Sequence, residues 1–152
     1  MAKVYSWKEQ LQKGIKAEEL FLDICHLKLE KSDTRDYDFI TRDGRKVELK
    51  TDFYGEDRTP NFFIERWSVM EEEKPGGPWQ SKGKKVDLYI YLYADTGAYY
   101  VFSDLRALCR AVEKMNLPVI PVKNRGYSGG GYKVPRATLK GLYRRYKGEG
   151  SL

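Results

Sequence analysis

The stretch from residue 86 to residue 93 constrains the fold most. It alternates without a break: Val86, Leu88, Ile90 and Leu92 lie on one face, and Asp87, Tyr89, Tyr91 and Tyr93 on the other. That period predicts a central strand, and the rest of the chain supplies neighbours for it. Residues 37–41 and 45–52 read as two short strands joined by Arg42-Asp43-Gly44, residues 61–69 as a third strand, and residues 99–102 as another after the turn Asp95-Thr96-Gly97. Pro118 and Pro121 bracket a short edge strand. A helix is predicted over residues 8–30, and a second is expected to start at a Ser103 cap and to turn Leu105, Leu108, Val112 and Met115 inward. The order is that of an α/β fold with a mixed central β-sheet flanked by helices.

Two stretches carry no such period. Residues 71–85 are polar and hold Pro75-Gly76-Gly77-Pro78, which predicts a surface loop or arm. Residues 123–152 form a basic C-terminal segment, with a weak helix or turn over 135–146 and a mobile run at Gly129-Gly130-Gly131. That run lacks the lysine and Ser/Thr of a phosphate loop, so no nucleotide cofactor is expected. At 152 residues the chain suits a single domain spanning 1–152. No apolar run approaches the roughly 20 residues of a membrane span, and Met1-Ala2-Lys3-Val4 does not open a signal peptide. The expectation is a soluble cytoplasmic protein with no membrane partner.

Composition narrows the chemistry. Cys25 and Cys109 are too few for a disulfide framework and fall on helical apolar faces, where core packing is their expected role. With His26 as the single histidine, a His-rich zinc site or a two-histidine ribonuclease mechanism is excluded. The formal charge of +6 favours a polyanionic partner.

The remaining polar signal lies on the predicted hairpin. In its second strand Val47 and Leu49 share one face while Glu48 and Lys50 share the other, about 7 Å apart along the strand. A two-residue Asp43-Gly44 loop would set Asp38 opposite Leu49. A three-residue Arg42-Asp43-Gly44 loop, with Gly44 in the left-handed position of a bulge, sets Asp38 opposite Glu48, and this arrangement is predicted. On the first helix, Leu11, Ile15, Leu22, Cys25 and Leu29 form an apolar stripe, and Glu18 lies within about 20° of its centre. A buried acid there needs a partner, and it either meets solvent or a lysine or looks into a metal site. Two carboxylates, Asp38 and Glu48, suit Mg²⁺, with Glu18 as a third ligand and the Leu49 carbonyl as a further one. Lys50 is placed to stabilise a phosphorane-like transition state or to orient water. Charged residues alternating on the wet face of an ordinary strand are the competing account of the same pattern.

Gly14-Ile15-Lys16-Ala17-Glu18, Tyr37-Asp38-Phe39-Ile40 and Val47-Glu48-Leu49-Lys50 together resemble the PD-(D/E)xK nucleases, and most of all the archaeal and phage Holliday-junction resolvases. Tyr37 stands where the name-giving motif has proline, and the spacing from Glu18 to Asp38 is shorter than in archaeal resolvases. The resemblance implies a restriction-endonuclease-like core and catalysis by Glu18, Asp38, Glu48 and Lys50, with Mg²⁺ or Mn²⁺ as cofactor. It also implies a homodimer that nicks opposing strands of branched, four-way DNA. A duplex-cutting restriction-like or repair endonuclease, or a binding module that has lost catalysis, would share these motifs. Gln80 and Asp52 are accessory candidates, and Glu65 continues the acidic theme. Trp79, Lys82, Lys84, Arg125, Arg136, Arg144 and Arg145 are candidates for DNA contact, against the alternatives of a core anchor and a solvated basic surface.

Overall fold

The computed structural model describes residues 7–148, with side chains from residue 13 onward. The ends of the expected domain and the side chain of Leu11 lie outside the described residues. The elements are α1 (Trp7–Ile24), β1 (Leu29–Lys31), β2 (Phe39–Thr41), β3 (Lys46–Asp52), β4 (Asn61–Val69), β5 (Lys74–Pro75), α2 (Gly77–Gly83), β6 (Leu88–Tyr93), β7 (Ala98–Phe102), α3 (Leu105–Lys114), β8 (Ile120–Lys123), β9 (Ser128–Pro135) and β10 (Tyr143–Lys147). Single 3-10 turns lie at Met70–Glu72 and Arg136–Leu139. A six-stranded mixed sheet runs β1-β2-β3-β6-β7-β10, and a four-stranded antiparallel sheet runs β5-β4-β9-β8. This is a mixed α/β architecture, as the sequence predicts. β3 and β6 are parallel, which requires a crossover between them. The chain makes that crossover through β4, β5 and α2.

β6 is the strand on which the fold is built, and all six of its residues are buried. Leu88, Ile90 and Leu92 pack with Phe21, Phe39, Val47 and Tyr99 beneath α1. Tyr89, Tyr91 and Tyr93 point the other way, into a core shared with Phe62, Ile64 and Val134 of the second sheet and Leu105, Leu108 and Val112 of α3. The tyrosine face stays dry because its polar tips are satisfied. Tyr91 Oη donates to Asp52 and accepts from the Phe63 N–H; Tyr93 Oη donates to the Asn61 carbonyl and accepts from Arg136.

Several sequence expectations are corrected. α1 ends at Ile24 and Leu29 opens β1, because the His26 N–H donates to Tyr99 Oη at 2.8 Å instead of to the helix. The buried face of α1 is centred on Ala17 and Phe21, whereas Ile15 is 44% exposed. Glu18 therefore sits at the border of that face and not at its middle. Asp104, not Ser103, caps α3, its carboxylate accepting from the Ala107 N–H at 2.9 Å. The stretch 71–85, expected as an arm, docks as β5 and α2. Pro78 falls in the first turn of α2, where a missing N–H costs nothing.

The Gly129-Gly130-Gly131 run is not a mobile loop but the buried middle of β9, paired with β4 and β8. A Cβ on Gly131 would stand 2.7 Å from the Ile64 carbonyl oxygen, so glycine allows the close strand approach. Residues 143–146, the end of the stretch expected as a helix or turn, pair together with Lys147 against β7 as an edge strand. Among the described residues no helix is long and apolar enough to cross a membrane.

Candidate active site

The β2–β3 hairpin has the three-residue loop. Thr41 N–H donates to the Arg45 carbonyl, Gly44 N–H donates to the Thr41 carbonyl, and Gly44 takes φ +88°. The ladder pairs Phe39 with Val47 and Ile40 with Lys46, so one further step brings Asp38 opposite Glu48. Asp38 sits immediately before β2, its N–H donating to the Val47 carbonyl at 2.9 Å. Its Oδ2 accepts from the Leu49 N–H at 2.8 Å. The carboxylate is thereby held across the strand from Glu48.

Val47 lies in the core under α1. By alternation Glu48, Lys50 and Asp52 project from the opposite face of β3, beside the tyrosines of β6. Asp38, at the strand end, is within hydrogen-bonding reach of both Glu18 and Glu48. α1 and β3 thus bring Glu18 and Glu48 to the carboxylate of Asp38, which stands between them, an arrangement set by nonlocal packing.

Crowding changes how these acids titrate. Burial and the neighbouring Asp38 charge push Glu18 up to about 7. The same two causes, moderated by Lys84, push Glu48 up to about 8. Burial raises Asp38 as well, and the Leu49 N–H opposes that rise. Like charges gathered away from water are costly, and a divalent cation relieves that cost.

The donor set suits such a cation. Among the described residues no three groups already stand in ligating geometry, yet Asp38, Glu48 and Glu18 are hard oxygen donors that Mg²⁺ or Mn²⁺ prefers. The backbone adds a fourth oxygen. Lys46 and Asp52 carbonyls accept from Asp87 and Ala94 on the β6 side, so the alternate carbonyls of β3, including that of Leu49, face the β2 side, where Asp38 lies.

Ionised Glu18 and Glu48 oppose folding in the metal-free protein. Both acids hold protons more tightly folded than unfolded, so their contribution to stability is full below about 4.5 and is lost as pH rises through about 7 and 8. Thermal melts are expected to show Mg²⁺ raising the melting temperature at pH 8 and having little effect at pH 5. A Mg²⁺ response of equal size at both pH values would contradict the site.

Other sequence candidates fall elsewhere. Trp79 is 7% exposed and donates Nε1–H to Glu113, so it anchors α2 in the core and is not presented to a ligand. Arg136 donates to Tyr93 Oη and the Glu56 carbonyl, and Arg145 pairs with Glu56; both hold the fold together. Arg125, Arg144 and Lys82 are exposed. Lys84 reaches the site's edge, 3.8 Å from Asp36, and lowers Glu48. Gln80 is half-buried on α2.

Asp52 is a loop anchor, its Oδ1 accepting from the Tyr54 and Gly55 N–H groups. Glu65 is brought close to Lys50, whose charge moderates the upward push of burial on its carboxyl. A Cβ on Gly76 would meet Glu65 Oε1 at 2.2 Å, so the glycine pair clears the room this carboxylate fills. The sequence offers only the acid itself as a signal, since β4 and the 76–77 turn meet through the fold.

These residues define a mixed α/β protein with a carboxylate cluster and a lysine on one strand. Compared with known proteins, the chain matches no family model and no curated sequence.

Proposed function

We propose that the chain is a Mg²⁺-dependent endonuclease of the PD-(D/E)xK kind that nicks branched DNA, four-way junctions by preference, as a homodimer. The observation that carries this reading is Asp38, fixed on the Leu49 N–H opposite Glu48 and flanked by Glu18 of α1 as well as Glu48, with Lys50 on the same strand face as Glu48. The element order is compatible with it: a helix, a three-strand meander, a crossover through β4, β5 and α2, and a strand, β6, parallel to the third. The net charge of +6 suits a polyanion. Two-fold symmetry in a homodimer matches that of a four-way junction.

Asp38, Glu48 and the Leu49 carbonyl would hold the cation. When bound, Mg²⁺ neutralises charge on the scissile phosphate and makes water a stronger nucleophile. Glu18, beside Asp38, would add a further carboxylate oxygen to the cation's surroundings. The Lys50 ammonium would stabilise the phosphoryl oxygens as charge develops on them, with the Glu65 carboxyl as a nearby opposite charge.

The test is cleavage of a synthetic four-way junction and a linear duplex of equal sequence, with Mg²⁺ and with EDTA. Paired nicks across the junction, dependent on Mg²⁺ and outcompeting duplex, are expected. Nicking of duplex alone would replace the junction preference with a restriction-like activity. Absence of Mg²⁺-stimulated cleavage on every substrate would end the nuclease reading.

A further inference from the structure

The loop that follows β3 displays aromatic rings where a soluble surface gains nothing from them. Phe53 is 47% exposed and Tyr54 61%, directly after the strand that carries Glu48 and Lys50. The loop is firmly built. Asp52 Oδ1 accepts from Tyr54 N–H at 2.7 Å and from Gly55 N–H at 3.3 Å, while Asp52 Oδ2 accepts from Tyr91 Oη. Gly55, at φ +126°, lies so close to Asp95 that a Cβ would stand 2.9 Å from its Oδ2. A pinned backbone with its two large side chains left outside is a display, not a failure to pack.

Cations surround the rings. Lys13 Nζ lies 5.6 Å from the Phe53 ring centre and Arg58 Cζ 5.4 Å from that of Tyr54. An open hollow of about 290 Å³ beside them is lined by Lys13, Lys16, Ala17, Phe53, Ala94 and Asp95. Of the acids here, Asp52 and Asp95 are engaged by backbone N–H groups and Asp57 faces solvent. Exposed π-faces flanked by lysine and arginine are the components that stack an unpaired base and hold its phosphates.

Resting on the nuclease reading above, we infer that Phe53 and Tyr54, with Lys13, Lys16 and Arg58, form a stacking platform for an unpaired nucleobase of branched or gapped DNA. Five residue steps lead from Glu48 to Phe53, about 17 Å along the chain. Phe53 falls on the α1 side of the sheet, beside Lys13 and Ala17, whereas Glu48 and Lys50 leave the other face of β3. Ala17, which lines the hollow, adjoins Glu18 of the site. The link between platform and site is α1, which carries Lys13, Lys16 and Ala17 in the one and Glu18 in the other. A DNA strand that reaches Glu18 would run along this helix to the rings, and continuous duplex has no base to offer them. The platform would thereby contribute to a preference for branched substrates.

The experiment is equilibrium binding of the full chain in EDTA, where no cleavage occurs, to DNA with 2-aminopurine either in a two-nucleotide gap or within continuous duplex. Wild-type protein is expected to quench the gap probe and prefer gapped DNA. Phe53→Ala/Tyr54→Ala is expected to cut that preference by about 10-fold or more, and Tyr54→Phe to preserve it. An unchanged preference, an equal fall on both DNAs, or a change in oligomeric state without change in DNA preference would overturn the platform. Because the readout needs neither metal nor catalysis, loss of this platform and loss of the nuclease reading are separate results.

Discussion

If the proposed activity holds, Asp38→Asn and Glu48→Gln, each made singly, are expected to lower Mg²⁺-dependent junction cleavage by about 10³-fold or more, since each would remove a charged ligand of a cation that would supply several kcal/mol to the transition state. The same substitutions are expected to raise the melting temperature of the metal-free protein at pH 8. The physical reason is the crowding itself. Asp38 raises both Glu18 and Glu48 through its charge, so a neutral amide relieves repulsion, and an asparagine oxygen can still accept the Leu49 N–H. Activity and stability therefore move in opposite directions, as they do where a site is arranged for chemistry at the expense of folding. Cleavage assays and thermal melts on the same preparations check both signs. A variant that melts lower and cleaves less would make these acids structural, and one that keeps full cleavage would remove them from the mechanism.

The second large effect is expected far from the chemistry. Glu56 is 6% exposed and gathers four hydrogen bonds: Arg145 donates through Nε and Nη2, Thr96 through Oγ1 and Tyr100 through Oη. Its carbonyl accepts from Arg136 Nη2, and its N–H donates to Asp95. The residue ties the loop after β3 to β7, β10 and the turn before β10. Glu56→Ala removes the acceptor of the buried Tyr100 O–H and the carboxylate that faces Arg145, leaving the two only their mutual hydrogen bond, which costs about 3 kcal/mol and lowers the melting temperature by about 6–12 °C. Arg145 is 44% exposed, so water can reclaim its charge, and the loss stays below that of a fully enclosed pair. Burial alone would raise the Glu56 carboxyl, but Arg145, Tyr100 and Thr96 outweigh it and hold it below its ordinary value. The stability from this cluster is therefore present above about pH 4.5 and drains away as pH falls through the lower folded value. Glu56→Gln is expected to flatten that acid-side loss. Chemical denaturation showing a change below about 1 kcal/mol for the alanine variant would refute the cluster's role.

How much of this was legible in the chain depends on the range over which each feature is decided. The alternation of residues 86–93, the turn chemistry of Arg42-Asp43-Gly44 and the shared face of Glu48 and Lys50 are local, set by backbone geometry within a few residues. They fixed the central strand and the hairpin register, and with it the placing of Asp38 opposite Glu48. Other features were decided by partners distant in sequence. Tyr99 takes the His26 N–H and stops α1 early, β4 and β8 make a buried strand of the glycine run, and Glu113 and the tyrosine core draw Trp79 and its helix inward. Arg136 and Arg145, whose charge reads from sequence as a nucleic-acid surface, are committed to Tyr93 and Glu56 instead. Periodicity determines which side of an element is apolar; only the packed structure decides what each polar side chain meets there, because hydrogen bonds and charge pairs form between positions that the sequence does not bring together.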